Sequence, residues 1–557
     1  MKAKLPRIFL LLLGGIFVLN LLQSYLTPLI YDEAYYWYFA QDLAWGYFDH
    51  PPMVALMIRI GSFLFDGELG VRFVGCILST AMLFVIWATI DHRKKRDYIV
   101  LFFVLVFSMA LMNAYGFFTL PDTPLLFFTA LFLFIYKRFL AEPSWRWALV
   151  MGIVMAGLMY SKYHAVLIIL LVLLSNLKLV TNRYAWLSVL VALLCYTPHF
   201  LWLYEQDFVS IKFHLFERPN APYSFEKYTL GYFMNLVAIF GLTFPWIYWS
   251  LIKTKATDRF TKALLYLTYG VLIFFFISSF NRRVQTQWII IIAVPLAIIT
   301  FRIMLGNATV RKWIFRMGTV NILIIFYLRI GLVYEPLSPV YYETHGNKAV
   351  AEKIKSEVGD MPLVFENSYR NASMMAFYTG NPTFSLNNDR YRRNQYSIDD
   401  SESKVQNQKV LYLSGYPKEA DITFTKSDGG IFYGNYIDNF ESFRKLRVIV
   451  DGPFKLGSDA DDNNDRLKIY NPYDQRIDLA KLRFNVAYLN DFKQFEEAFS
   501  LFLKPVNDTI SYLPAKDTLD FRFTLPKPSM KNPGYFRIGI SENKLLYGLN
   551  GDNIEIE

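Results

Sequence analysis

The chain has 557 residues, 54% of them hydrophobic and 18% aromatic, with a formal net charge of +10. That is too apolar for a soluble protein of this length and indicates a polytopic membrane protein. The charge does not indicate nucleic acid, because much of it lies in short loops between apolar runs, where it sets topology. The two cysteines, Cys76 and Cys195, sit in apolar stretches, so neither a disulfide framework nor a cysteine metal site is indicated.

The N-terminal Met1-Lys-Ala-Lys-Leu-Pro-Arg7 has the character of a signal-peptide n-region. No small-residue cleavage site follows, and the apolar run 8–30 is long enough to span a bilayer, which needs about 20 apolar residues. The expectation is a retained first helix with Lys2, Lys4 and Arg7 in the cytoplasm. It delivers Tyr31-Asp-Glu-Ala-Tyr-Tyr-Trp37 and Gly46-Tyr-Phe-Asp-His-Pro-Pro-Met53 to the outer membrane edge. A second span over 71–90 returns to the basic run Asp91-His-Arg-Lys-Lys-Arg-Asp97. A third span from about 98 leads out to Pro121-Asp-Thr-Pro124, and a fourth ends at Lys137-Arg138. Residues 148–176 read as two short spans or a broken hairpin, interrupted by Ser161-Lys-Tyr-His164. The run 185–204 leads to a polar outer loop, 205–228. Spans near 229–252, 263–280, 288–304 and 317–334 complete a count of about eleven.

Composition changes at Glu335-Pro-Leu-Ser-Pro339, after which no spanning run occurs. The domains expected are a membrane domain over 1–334, an extracytoplasmic α/β domain over 335–440 and a β-rich domain over 441–557. The last has period-two segments such as Asp520-Phe-Arg-Phe-Thr524. No solenoid repeat or Gly-rich phosphate loop is present.

Carboxylates crowded against a membrane edge are costly unless hydrated, paired or bound. An interfacial loop with an aromatic belt would explain the Trp and Tyr residues but not the acids. Asp32 and Glu33, if helical, point about 100° apart, so one can face a site while the other faces water or a neighbour. A carboxylate beside a bound hydroxyl can act as general base. Asp122 has the type and place of a helix cap, and it also matches Asp32 in depth. Asp49 and His50 are metal-ligand types but need further ligands such as His214. Lys162 interrupts an apolar run and must snorkel or meet an anion, and Arg218 and Arg282-Arg283 are further outer-face cations. His92 reads as a cytoplasmic loop residue, and His164 and His199 as packed helix residues.

The Asp-Glu-Ala and Phe-Asp-His-Pro-Pro segments, Pro121-Asp-Thr-Pro124 and Ser161-Lys-Tyr-His164 together resemble the bacterial protein mannosyltransferase-like glycosyltransferases of the GT-C fold, to which the lipid A aminoarabinose transferases are related. The resemblance covers the membrane half. It implies an integral membrane glycosyltransferase of the bacterial inner membrane. Such an enzyme moves a sugar, with inversion, from a polyprenyl-phosphate donor to an envelope protein, lipid or glycan at the outer face. It implies Asp32, with Glu33 and Asp122, at the catalytic centre. His50, which stands where the aminoarabinose transferases have lysine, joins Lys162 and Arg218 on the donor phosphate. It further implies a divalent metal ion held by Asp49 and His214. The alternative is a lipid-linked sugar flippase without transferase activity. Transporters place ionisable groups near the midplane and often carry inverted repeats, whereas the charges here gather at the outer edge.

Overall fold

The structure is a computed structural model and describes residues 5–426, 428–452, 454 and 465–556. The chain forms two compact units, Met1–Asp207 with Tyr223–His345, and Phe208–Pro222 with Gly346–Glu557.

The first unit is helical. It begins with α1 (Arg7–Leu26), α2 (Tyr31–Gln41), α3 (Met53–Leu64), α4 (Gly67–Thr89), α5 (Ile99–Phe107), α6 (Ala110–Ala114), α7 (Asp122–Ala141), α8 (Trp145–Ser161), α9 (Ala165–Ser175) and α10 (Arg183–Glu205). After α11 (Val209–Lys212), which lies in the second unit, it continues with α12 (Gly231–Phe240), α13 (Phe244–Lys253), α14 (Arg259–Ser278), α15 (Thr286–Ile289), α16 (Ala293–Gly306) and α17 (Ala308–Val333). Among the described residues, eight helical segments are long and apolar enough to cross a membrane. They are α1, α4, α7, α10, 226–253, α14, 286–306 and α17. The protein is a multi-pass membrane protein.

The remaining expected crossings are in pieces. α8 and α9 are shorter apolar helices that meet at Lys162, the broken hairpin that the sequence left open. The third span is divided between α5 and α6. Asn113 Nδ2 donates to the Phe107 carbonyl at 3.0 Å, and Asn321 Nδ2 to the Ser108 carbonyl at 3.1 Å. Side-chain amides thus satisfy carbonyls released by the break, which apolar surroundings require. The stretch 32–70, expected only to lie outside, forms α2 and α3. α3 buries Val54, Ala55, Met57 and Ile58 and packs against α4. The centre of the bundle is α16, whose residues from Ala293 to Phe301 are all buried. A helix apolar nearly all round is enclosed by its neighbours at little polar cost.

The second unit contains a five-stranded sheet in the order β2-β1-β3-β5-β4. Its strands are β1 (Leu363–Glu366), β2 (Thr383–Leu386), β3 (Gln408–Ser414), β4 (Ile422–Thr425) and β5 (Ile431–Phe440). β1 is parallel to β2 and β3, and β5 pairs antiparallel with β3 and β4. Two helices, α18 (Asn347–Val358) and α19 (Tyr369–Thr379), accompany it. α18 buries Val350, Ile354 and Val358, the residues whose spacing marks a helix in the sequence.

Beyond Phe440 the unit is antiparallel. β6 (Arg447–Val450) and β7 (Asp465–Tyr470) form one sheet with β11 (Lys504–Pro505) and β13 (Thr518–Phe523). β9 (Leu482–Leu489) and β10 (Phe495–Leu501) form a second with β14 (Tyr535–Glu542) and β15 (Ile554–Glu555). β8 (Ile477–Asp478) pairs with β12 (Tyr512–Leu513). Alternation along β13 puts Leu519, Phe521 and Phe523 into one core with Val486, Phe536 and Ile538.

A buried acid cluster ties these layers together. Glu402 accepts from Ser442 Oγ at 2.7 Å, the Arg444 amide at 2.7 Å and the Tyr473 hydroxyl at 2.5 Å. Glu542, with no exposed side-chain surface, pairs with Arg444 at 3.2 Å and accepts from the Phe443 amide at 3.2 Å. Burial pushes Glu542 from 4.5 up to about 7, against the pull of Arg444 and with a further push from Glu402. An acid raised by folding is stabilising when protonated, so its contribution is full below 4.5 and is lost as pH rises through about 7. We expect melting of the second unit to fall between pH 5 and pH 7.5, by an amount on the order of 3 kcal/mol. Glu542→Gln should flatten that slope. A pH-melting series on both proteins in detergent checks it, and an unchanged slope in the variant would reject the assignment.

Candidate active site

The site is built where α1 ends and α2 begins. Thr27 and Ile30 are extended, and α2 opens with Asp32 and Glu33 in its first turn. Acids there suit the partial positive charge of a helix N-terminus. Their roles then diverge. Glu33 is fully buried, and Arg72 of α4 binds it through Nε at 2.8 Å and Nη2 at 2.5 Å. The Thr119 amide donates to its Oε1 at 2.9 Å and the Ile30 amide to its Oε2 at 3.3 Å. Arg72 also donates to the carbonyls of Ser24 at 3.1 Å, Thr27, and Pro28 at 3.0 Å. Its guanidinium lies over Phe118, 5.2 Å from the ring centre. Both carboxylate oxygens of Glu33 are thus engaged in fastening α2 to α4 and to the turn before α7. Glu33, expected from the sequence at the catalytic centre, is fully buried among these partners. Asp32, one residue earlier and about 100° around the helix, is half-buried rather than sealed.

The Thr119 amide held by Glu33 lies three residues before Asp122. A Cβ on Gly75 of α4 would overlap the Thr119 hydroxyl, so glycine permits this turn to sit against the helix. Asp122 does not cap α7. Its carboxylate takes both bonds from Lys162 Nζ, at 2.8 and 2.9 Å, and both side chains are buried. Lys162 lies in extended backbone at the end of α8, which explains why the apolar run breaks there. Tyr115, in the loop after α6, lies within electrostatic range of both Asp32 and Asp122.

The second motif folds onto α2. Asp49 Oδ2 accepts from the Tyr35 hydroxyl at 3.0 Å, and the His50 ring meets Tyr36 edge-on at 5.5 Å. Phe39 and Tyr47 stack at 4.4 Å. Gly46 lies so close to Trp202 of α10 that a Cβ would overlap its ring. His199, read from sequence as a packed helix residue, is buried between the Trp45 carbonyl at 2.6 Å and the Tyr163 hydroxyl at 3.2 Å. His164 packs against Phe275 and Trp288.

The first unit therefore gathers Asp32, Glu33, Asp49, His50, Asp122 and Lys162. His214 and Arg218 belong to 208–222, which folds with the second unit. Among the described residues no three His, Cys, Asp or Glu side chains are grouped to hold a metal ion. Asp49 lies in the first unit and His214 in the second, and no step of the proposed reaction is routed through an ion.

Sequence reasoning missed Arg72 and Arg329. Arg329 of α17 is buried, bonded to Asn113 Oδ1 at 3.0 Å and Asn20 Oδ1 at 2.8 Å, with Phe117 4.5 Å beneath it. A lone arginine inside each apolar run was the available signal.

Residues 49–202 match the family described as dolichyl-phosphate-mannose-protein mannosyltransferase, a stretch that includes Asp49, His50, Asp122 and Lys162 but not Asp32. The chain is 25% identical over 284 residues to the lipid A galacturonosyltransferase RgtD of Rhizobium johnstonii, covering 47% of this chain and 58% of that relative. The chain thus spans about three fifths of that relative's length. Among solved structures, ArnT from Cupriavidus metallidurans in the apo state is 13% identical with a TM-score of 0.56, covering 76% of this chain and 97% of that one. ArnT bound to undecaprenyl phosphate is 14% identical with a TM-score of 0.55, at the same coverage. The resemblance drawn from the motifs is borne out, and the fold is that of the GT-C membrane glycosyltransferases.

Proposed function

We propose that this protein is an inverting membrane glycosyltransferase that takes its sugar from a polyprenyl-phosphate donor. The observation that carries the reading is the half-buried Asp32 on a helix clamped by Glu33 and Arg72, together with the Asp122–Lys162 pair, which keeps 3% and 5% of its surface exposed where Glu33 has none. Buried charges inside an apolar bundle are costly to fold around, and they cluster where chemistry requires them. The relatives support the reading: one is a lipid A galacturonosyltransferase, and the fold is one whose structure holds undecaprenyl phosphate.

In the proposed reaction Asp32 takes the proton from an acceptor hydroxyl, and the oxygen attacks the anomeric carbon. The bond from that carbon to the phosphate oxygen breaks, and the electron pair leaves with the polyprenyl phosphate. Lys162 meets the phosphate charge, while Asp122 holds the ammonium in place. Fixed charge aimed at the developing anion lowers the barrier without reorganisation during the step. The lipid tail accounts for a site at the membrane edge. The acceptor is an envelope molecule, and the protein sits in the bacterial inner membrane with 346–557 extracytoplasmic.

The test uses purified protein in lipid, radiolabelled polyprenyl-phosphate sugars and a cell-envelope acceptor fraction. Label is expected to move to acceptor with one donor. Lipid binding without transfer from any donor would overturn the reading. The same assay with EDTA tests the divalent ion implied for Asp49 and His214, which requires activity lost to the chelator and restored by added metal.

A further inference from the structure

A cavity of about 640 Å³ lies wholly within the second unit, remote in sequence from Asp32, Asp122 and Lys162. That volume is within the usual range for small-molecule sites, about 300–1,000 Å³. Four separate stretches form its walls, 213–219, 389–393, 489–496 and 537–553. The first is the loop after α10, which is fixed here by the Asn220 amide donating to the Phe492 carbonyl at 3.0 Å and by Lys493 Nζ donating to the Phe216 carbonyl. Arg392 lies over Phe213 at 5.3 Å.

The lining is mixed, with apolar surface interleaved with charges of both signs. Among the described residues it carries five basic side chains, on Arg390, Arg392, Arg393, Lys493 and Arg537, against four carboxylates. Some of these are used internally. Asp552 and the carbonyls of Leu549 and Gly551 hold Arg393 at 3.2–3.4 Å, and Asp389 accepts from Asn485 at 2.8 Å. Arg537 donates through Nη2 to the Asp389 carbonyl at 2.6 Å and through Nη1 to Asn553 Oδ1 at 3.3 Å. Its Nε is buried with no hydrogen-bond partner among the described residues. The Arg390 guanidinium lies 4.9 Å above the Phe495 ring, at the cavity wall.

A wholly apolar ligand would leave the charged and amide groups of these walls without partners. Interleaved donors and acceptors with amides at Gln494 and Asn553 suit hydroxyls, which both give and accept hydrogen bonds. Aromatic faces at Tyr391 and Phe495 suit the C–H face of a sugar ring. The surplus of arginine, with one guanidinium N–H unsatisfied, adds a place for a carboxylate or phosphate group. We propose that this cavity binds an anionic saccharide, carboxylated or phosphorylated. Binding here is separate from the transfer chemistry and is tested without donor.

The experiment is calorimetry on the full-length protein in nanodiscs with trigalacturonate, glucose 6-phosphate, neutral maltotriose and inorganic phosphate. At least one of the two anionic sugars is expected to bind at least tenfold more tightly than maltotriose and than phosphate, and which one does so distinguishes carboxylate from phosphate recognition. Arg390→Ala, an exposed position, and Gln494→Ala should each weaken that binding at least tenfold. Equal binding of maltotriose, equal binding of inorganic phosphate, or no loss in either variant would overturn the proposal. Asp32→Asn should bind as wild type does, so a failure of the transferase reading would leave this result standing.

Discussion

Asp32→Asn is expected to lower transfer by roughly a hundred- to ten-thousandfold, the usual worth of a general base, with melting temperature and donor binding unchanged. The amide keeps the size of the carboxylate but exchanges one acceptor oxygen for an NH2 donor and does not take a proton at neutral pH. The fold keeps its main anchor in the variant, because α2 is fastened through the neighbouring Glu33. The measurement is initial rate of label transfer at saturating donor, with melting recorded on the same preparation. Asp122→Asn in parallel separates the roles, since it disturbs Lys162 and should weaken donor binding as well as rate. An Asp32→Asn protein that transfers at the wild-type rate would remove Asp32 from the chemistry.

Arg72→Met should have the larger effect on stability. Removing one partner of a buried ion pair costs about 3–5 kcal/mol, because the other charge is left uncompensated. Here the loss also strips donors from the carbonyls of Ser24, Thr27 and Pro28 at the end of α1. The double variant Arg72→Met with Glu33→Gln should regain part of the loss, since no buried charge then remains. Melting of the two single variants and the double variant in detergent gives the coupling. Additive losses would show that Glu33 and Arg72 are not acting as a pair. Transfer should fall in every variant of this set, because α2 is then held less firmly.

Much of the first unit was legible because a bilayer allows few solutions. Apolar runs of sufficient length and the basic loops between them gave the spans, and polar residues at their outer ends marked Asp32, Asp49, Asp122 and Lys162. The pairing of these residues was not legible. Nothing in Pro121-Asp-Thr-Pro124 states that Asp122 turns from capping its own helix to hold Lys162, which is 40 positions away. The neighbouring acids Asp32 and Glu33 end in different surroundings, with Arg72 bonded to Glu33. The loop 208–222 shows the same limit, since it was assigned with the membrane-edge chemistry but folds with the strands near 490 and 537.

The sequence by itself determined the membrane architecture, the change of character after Glu335, the alternating strands near the C-terminus and the acids that a bilayer edge would not tolerate idle. These follow from local periodicity and from the cost of charge in hydrocarbon, which each segment carries alone. Only the tertiary structure decided which acid is sealed and which is half-open, what Lys162 pairs with, and that four distant stretches enclose one polar cavity. Those outcomes depend on which side chains meet across the fold, where a buried charge is settled by a partner far away in the chain.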